Sequence, residues 1–295
     1  MTKKATQMVL LALLVVLTIP LIIGSRHQAN AQPLDTFRSY LPVVVGSSRP
    51  TFGLAFPTWH EGDVRFDSSL DAKALELTEV YPWHNWSVYG SEPGQFVPFV
   101  FSPLHVGQFC TSDYKSGLVI VGNECDLREQ CDDTPPGGVI ALFHDIISCC
   151  PDCQIIGPAY SAADDGSLSL AFYQDFVASG GDPDKLLPSL HLYPYAVDDA
   201  SSRVDEFVAN YLVPTNQQHK KIYVTEVGWQ DCYPLDEFGG WLADLAADSR
   251  IEELYLYSPR PSEGQCRYSV LVDSAGQLTA AGKVVRDVLA HEPHD

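Results

Sequence analysis

From residue 51 onward the chain alternates short apolar runs with longer stretches in which apolar residues recur every three or four positions. The short runs fall at 51–57, 80–87, 96–101, 118–124, 154–159, 187–193, 222–226 and 253–257. Apolar runs of this length fit strands buried on both faces better than strands with one wet face. Helical periodicity marks 139–148, 168–179, 201–212, 238–248 and 280–289, and Ser201 or Ser202 before Val204 offers a helix start. The connections after the second and third strands are rich in Gly, Ser and Pro and show no such period. Strand-then-helix alternation predicts an α/β fold with a parallel sheet, here a (β/α)8 TIM-type barrel with reduced helices after strands 2 and 3. There is no internal repeat and no sign of a second domain, so 51–295 reads as one unit.

The N-terminus has a different pattern. Lys3 and Lys4 precede an apolar run from Met8 to Ile23, broken once by Pro20, and Ala29-Asn30-Ala31 follows. A basic start, an apolar middle and a small-x-small site predict a signal peptide over 1–31, with 32–50 as a Pro- and Ser-bearing linker. The protein is therefore expected to be secreted. The alternative is a membrane anchor formed by the same segment left uncleaved, although the run is short of the roughly 20 residues a span needs.

Eight cysteines fit an oxidising compartment. Their pairing is open. Cys125 and Cys131 flank one short loop after the fourth strand, and Cys110, after the third, competes for either. Cys149, Cys150 and Cys153 fall at the opposite end of the barrel, while Cys232 and Cys266 follow neighbouring strands. An odd count at each end requires either a free thiol or a different strand placement. Cys150-Pro-Asp-Cys153 lacks the second pair that zinc needs and a thioredoxin-like setting, so no metal or cofactor is expected. With 18 basic and 38 acidic residues the chain carries −20, which repels nucleic acid and anionic membrane. A neutral polymer is compatible with that field.

Two predicted strand ends carry the candidate chemistry. The fourth closes on Gly122-Asn123-Glu124 and the seventh on Val224-Thr225-Glu226-Val227-Gly228-Trp229. In a barrel both glutamates would project into the mouth at the carboxyl ends of the strands, from opposite sides of the ring. Glycosidic cleavage uses such a pair: one carboxylic acid protonates the leaving oxygen and one carboxylate attacks the anomeric carbon. At a separation of about 5–5.5 Å the outcome is retention through a covalent intermediate. A single Glu at a strand end more often caps a helix or pairs with a rim Arg. Two of them, each closing an apolar run, tip the reading towards catalysis.

These pieces resemble clan A of the glycoside hydrolases, the TIM-barrel retaining glycosidases. Within it the chain is most similar to glycoside hydrolase family 128, the compact β-1,3-glucanases. The resemblance rests on Phe52-Gly-Leu-Ala55, His84-Asn-Trp-Ser87, Phe96-Val-Pro-Phe99, Gly122-Asn-Glu124, His191-Leu-Tyr193 and Tyr223-Val-Thr-Glu-Val-Gly228. It implies Glu124 as general acid/base, Glu226 as nucleophile and Asn123 as a contact to the sugar 2-hydroxyl. Cys125 follows Glu124 where the family usually has Pro, and the last strand ends in Tyr257-Ser-Pro rather than Trp.

Sugar rings pack their C–H faces on aromatic planes, so Trp59, Trp83, Trp86, Trp229 and Tyr257, at or beyond strand ends, are candidate substrate contacts. His191 and Tyr193 alternate along one strand and can face the same side, where they could orient a carboxylate. The expected partner is a polysaccharide or oligosaccharide, most simply β-1,3-glucan, met by a monomer. Mannan or galactan hydrolysis and a non-catalytic carbohydrate-binding barrel are the competing readings.

Overall fold

The computed structural model describes residues 51–56 and 79–82 and, between 95 and 290, all but 113–114, 116, 128–129, 163, 194–198, 230–233, 258–270 and 274. The signal-peptide and linker segments, Trp59, Trp83, Trp86, Cys232 and Cys266 lie outside the described residues.

The described strands are β1 (Thr51–Phe56), β2 (Glu79–Pro82), β3 (Gln95–Phe96), β4 (Phe99–Val100), β5 (Leu118–Val121), β6 (Gln154–Ile156), β7 (Leu186–Leu187), β8 (Ser189–Leu192), β9 (Ile222–Val227) and β10 (Ile251–Tyr257). They form two sheets, a six-stranded one in the order β3-β2-β1-β10-β9-β8 and a four-stranded one in the order β4-β5-β6-β7. Every strand pairing in both is parallel. The predicted third and sixth strands are each split by a proline. Val97-Pro98 separates β3 from β4, and Pro188 separates β7 from β8. Proline has no N–H to give to a ladder, and at each break the chain passes from one sheet to the other. The carbonyls of Pro98 and Pro188 still accept, from Ile120 N–H and Tyr223 N–H, both at 2.9 Å.

Strands β4, β5, β8, β9 and β10 are buried on both faces, as the unbroken apolar runs predict. On β5, Val119 and Val121 pack towards the helices while Ile120 joins an inner cluster. On β10, Leu254 and Leu256 face the helices and Tyr255 faces the inner cluster. That inner cluster takes Ala55, Tyr223 and Tyr255 from the six-stranded sheet and Phe99, Ile120 and Ile156 from the four-stranded one, so the two sheets meet across it.

The outer layer is helical. Helix α1 (Val106–Thr111) follows a 3-10 turn at Pro103–His105; α2 is Pro136–Cys149, α3 Ser167–Ala178, α4 Ala200–Phe207, α5 Leu235–Ala247 and α6 Ala280–Ala290. In α2 a proline opens the first turn, and Val139, Leu142, Phe143 and Ile146 make one buried stripe. The start of α4 differs from expectation. Asp199, not Ser201 or Ser202, is the cap, its carboxylate accepting from Ser201 N–H at 3.0 Å. A carboxylate there also meets the positive end of the helix dipole, which a serine hydroxyl meets only weakly.

The expected odd cysteine count at each end is corrected by α1. This short helix carries Cys110 back from the strand ends, where it pairs with Cys149 at the end of α2 (Cα–Cα 5.6 Å). Six residues give too few turns for an amphipathic period, so the sequence hid it. Cys125 pairs with Cys131 and Cys150 with Cys153, and no described cysteine is free. The C-x-x-C is thus a disulfide. No helix among the described residues is long and apolar enough to cross a membrane, and the disulfides fit an oxidising compartment.

Candidate active site

The placement of Glu226 depends on an irregularity in β9. Regular alternation would put Tyr223 and Thr225 on one face and Glu226 on the other. The pairing with β8 breaks that alternation: Leu190 faces Val224, but the next residue, His191, faces Glu226. The pairing with β10 shows the same extra residue, between Leu254–Val224 and Leu256–Val227. This is a β-bulge at Thr225-Glu226. It lets Ile222, Val224 and Val227 stay among the helix-facing core while Tyr223 faces inward. Thr225 and Glu226 then both point to the β8 side chains, Thr225 Oγ1 to Ser189 Oγ at 2.8 Å and Glu226 to His191.

Glu124 is placed by a backbone turn. After β5, Asn123 bridges to Ala159, and Glu124 N–H donates to the Ala159 carbonyl at 2.8 Å. Gly122 has φ +76°, and Glu124 itself sits at φ 42°. A left-handed non-glycine residue is uncommon and tends to mark functional sites. Two of the three other described non-glycine residues with positive φ, Cys131 and Asp132, lie in the same loop. The Cys125–Cys131 disulfide ties this loop directly after Glu124. Inside it, Gln130 Oε1 accepts from Asn123 Nδ2 at 3.1 Å. Asp126 anchors the loop to the next one, accepting from Ser161 N–H (2.9 Å) and Ser161 Oγ (2.6 Å).

Across the gap between the sheets the side chains converge. His191 Nδ1 lies 3.1 Å from Glu124 Oε1 and 3.5 Å from Glu226 Oε2. One oxygen from each glutamate and a His191 nitrogen all fall within 4.8 Å of one another. Tyr193, just past β8, donates its phenol O–H to Glu226 Oε2. Glu226 Oε1 is buried and has no hydrogen-bond partner. The carboxylates differ in setting, with side chains 15% exposed for Glu124 and 3% for Glu226.

Charge in this cluster is tightly coupled. Burial pushes the Glu226 carboxyl up to about 7; the neighbouring His191 pulls it down, the like charge of Glu124 pushes it up, and the Tyr193 hydrogen bond pulls it down. Burial works to lower His191, but Glu226 and Glu124 together overcome it and leave the imidazole above its ordinary value. The imidazole and the Glu226 carboxyl therefore titrate as a coupled pair. The oxygen and nitrogen donors of the three groups are spaced closely enough to reach one cation, but His191 Nδ1 and Glu226 Oε2 already bond within the cluster. The arrangement is suited to sharing protons.

The structure thus brings together Glu124, Glu226, His191 and Tyr193, with Asn123 buried alongside Glu124. Tyr257, at the end of β10, packs its ring edge-on to Tyr193 at 6.2 Å. Trp229 is half-buried and packs on Phe238 of α5, 6.3 Å between centroids, as part of the sheet–helix core. Sequence reasoning missed Gln130, Asp126 and Ser161. The cysteines six residues apart were the available signal, since they close a loop that begins at the candidate acid.

A sequence model described as glycosyl hydrolase catalytic core matches residues 53–285. No match was found among curated protein sequences. Among solved structures, a family 128 subgroup I endo-β-1,3-glucanase from Amycolatopsis mediterranei, in complex with laminaritriose, superposes with TM-score 0.60 at 17% identity, covering 81% of this chain and 99% of that one. A subgroup II endo-β-1,3-glucanase from Sorangium cellulosum gives 0.58 at 17% identity, with 81% and 98% covered. A subgroup III curdlan-specific exo-β-1,3-glucanase from Blastomyces gilchristii, in complex with glucose, gives 0.57 at 19% identity, with 80% and 97% covered. With the family match spanning most of its length, and two carboxylates facing each other at the strand ends, the chain belongs to the glycosyl hydrolase catalytic core family.

Proposed function

We propose that this protein is a retaining β-1,3-glucanase in which Glu226 attacks the anomeric carbon and Glu124 serves as acid, then base. The observation that carries the reading is the unpartnered Oε1 of Glu226. Its sister oxygen is held by Tyr193 and lies near His191, so one oxygen is fixed and the other is left for a reacting atom. A buried carboxylate oxygen without a partner costs about 1–3 kcal/mol or more, a cost suited to an atom that bonds substrate.

The cluster carries one proton in the productive state. It sits on Glu124, the more exposed carboxyl, facing the leaving oxygen. Attack requires the ionised form of Glu226, which Tyr193 and His191 favour against its burial. Proton transfer to the glycosidic oxygen and attack by Oε1 break the C–O bond and form a glycosyl ester. Glu124, now ionised, takes a proton from water, which opens the ester with net retention. A carboxylate spacing within 4.8 Å leaves no room for an intervening water, which favours this course over inversion.

In the same reading the two sheets are the halves of one eight-stranded (β/α)8 ring, joined through the proline-broken segments. Asn123 contacts the 2-hydroxyl, and His191, Tyr193 and Tyr257 line the cleavage point. Trp59, Trp83, Trp86 and Trp229 are candidates for outer sugar contacts. Residues 1–31 are a signal peptide, 32–50 a linker and 51–295 the catalytic domain, secreted and monomeric. β-1,3-Glucan is favoured because the structural relatives named above are β-1,3-glucanases.

The test is hydrolysis of β-1,3-glucan, β-1,4-mannan and β-1,4-galactan, with the anomer of the first product followed by NMR. The reading expects reducing ends from β-1,3-glucan, released first as the β-anomer, and none from Glu124→Gln or Glu226→Gln. Release of the α-anomer first, or no hydrolysis of any of the three, refutes it.

A further inference from the structure

We propose that the disulfide-closed loop Cys125–Cys131 is the positioning device of the site, setting Glu124 through its cystine and Asn123 through Gln130. This rests on the assignment of Glu124 as acid/base.

Glu124 has few other constraints. Its backbone bonds once to Ala159, its carbonyl accepts from Leu127 N–H at 2.8 Å within the loop, and its side chain meets His191. Its left-handed backbone is disfavoured for a non-glycine residue and persists only if the surroundings enforce it. The enforcing element is adjacent. Cys125 is covalently tied to Cys131, which is fully buried in the core between the four-stranded sheet and its helices. Behind the turn, a Cβ on Gly122 would lie 3.2 Å from Cys125 Sγ, so the cystine packs against the backbone that leads into Asn123 and Glu124. The residue preceding Cys131 reaches back to Asn123, its side-chain oxygen accepting a hydrogen bond from the Asn123 amide and fixing the amide plane. The acid and its neighbour are therefore referenced to the barrel wall through one short covalent loop. Cys131, Cys125 and Gln130 touch no reacting atom in this account; they act through Glu124 and Asn123.

The two arms of the device predict different chemical signatures. Loss of acid positioning hurts substrates whose leaving group needs a proton and spares those that do not. The double variant Cys125→Ser/Cys131→Ser is compared with wild type on phenyl and dinitrophenyl β-laminaribiosides. The expected result is a fall in kcat/KM of about 100-fold on the phenyl substrate and less than about twofold on the dinitrophenyl one. Retained turnover of the activated substrate also reports that the variant is folded. Glu124→Ala sets the reference pattern, and Cys150→Ser/Cys153→Ser removes a shorter-range cystine elsewhere along the chain and is expected to leave both rates near wild type.

Gln130→Ala tests the other arm and does not depend on the cysteine variant folding. It is expected to lose about tenfold in kcat/KM on both glucosides and almost nothing on a 2-deoxy analogue, which lacks the hydroxyl that Asn123 would bind. Equal loss on phenyl and dinitrophenyl substrates by the cysteine variant, or full retention on both, overturns the first arm. Uniform loss by Gln130→Ala on all three substrates, or none, overturns the second. If Glu124→Ala itself shows no leaving-group dependence, the assignment of the acid fails instead, and the two failures are told apart.

Discussion

Replacing Glu226 by Gln is expected to abolish activity and, at the same time, to stabilise the protein in a pH-dependent way. The carboxyl moves from an ordinary 4.5 to about 7 on folding, with burial the leading cause. The folded chain therefore holds a proton more tightly than the unfolded one. Between those two values the unfolded state releases it first, so native stability falls as pH rises. Fully developed above pH 7, the penalty is about 3 kcal/mol, from about 1.4 kcal/mol for each tenfold change in proton affinity. Below pH 4.5 it vanishes. His191 adds to the trend, because its raised value contributes stability at low pH that is lost as the imidazole deprotonates, and the variant removes one of its anionic neighbours. Gln keeps the shape and can accept from Tyr193 through its carbonyl. The assay is thermal unfolding of the inactive variant and wild type at pH 4.5 and pH 8. At pH 8 the variant is expected to melt about 6–12 °C higher, at about 2–4 °C per kcal/mol for a domain of this size. At pH 4.5 the curves should coincide or reverse slightly. A gap that does not grow with pH would refute the claim that Glu226 is held against its charge.

Three further outcomes are expected. The kcat/KM profile on β-1,3-glucan should rise as pH rises through about 7, where the buried Glu226 carboxyl ionises to its attacking form; a profile already at its maximum at about pH 5 contradicts this. Tyr193→Phe removes the donor that lowers Glu226, so kcat/KM at the optimum should drop by about 10- to 100-fold, and the acid limb should move to higher pH. An unshifted limb would mean the phenol does not act on that carboxyl. Asp199→Ala removes the cap of α4 and is expected to cost about 1 kcal/mol in denaturant unfolding with activity unchanged; no loss of stability would show that the serines can cap in its place.

Much of the fold was legible because parallel strands buried on both faces announce themselves as unbroken apolar runs. Those ending at Glu124 and Glu226 stand out because a charge closes them. What stayed hidden was local geometry decided by tertiary pairing. Pro98 and Pro188 sit inside runs that read as single strands, and only the pairing shows that each belongs to two sheets. Helix α1 is too short for a period, so the partner of Cys110 was misjudged. Glu226 meets Glu124 and His191 across the sheets, whereas strict alternation from Tyr223 would have turned it to the other face. His191 and Tyr193, which alternation puts on one side of a strand and which also carry part of the family resemblance, meet the carboxylates. Trp229 follows a strand end, and its half-buried ring packs on Phe238 of α5, a contact that the strand pattern alone does not show.

The irregularity in β9 leaves a trace that reads like a genetic insertion. Before it, Val224 pairs with Leu190; after it, Val227 pairs with Leu192, so three steps on one strand match two on the other. Removing Thr225 would restore a plain strand with Glu226 still opposite His191, whereas most single-residue deletions in a buried strand turn everything downstream inside out. Thr225 is thus a position in the middle of the sheet where the chain can be shortened without reversing the Glu226 carboxylate, at the expense of the Ser189 hydroxyl that loses its mate.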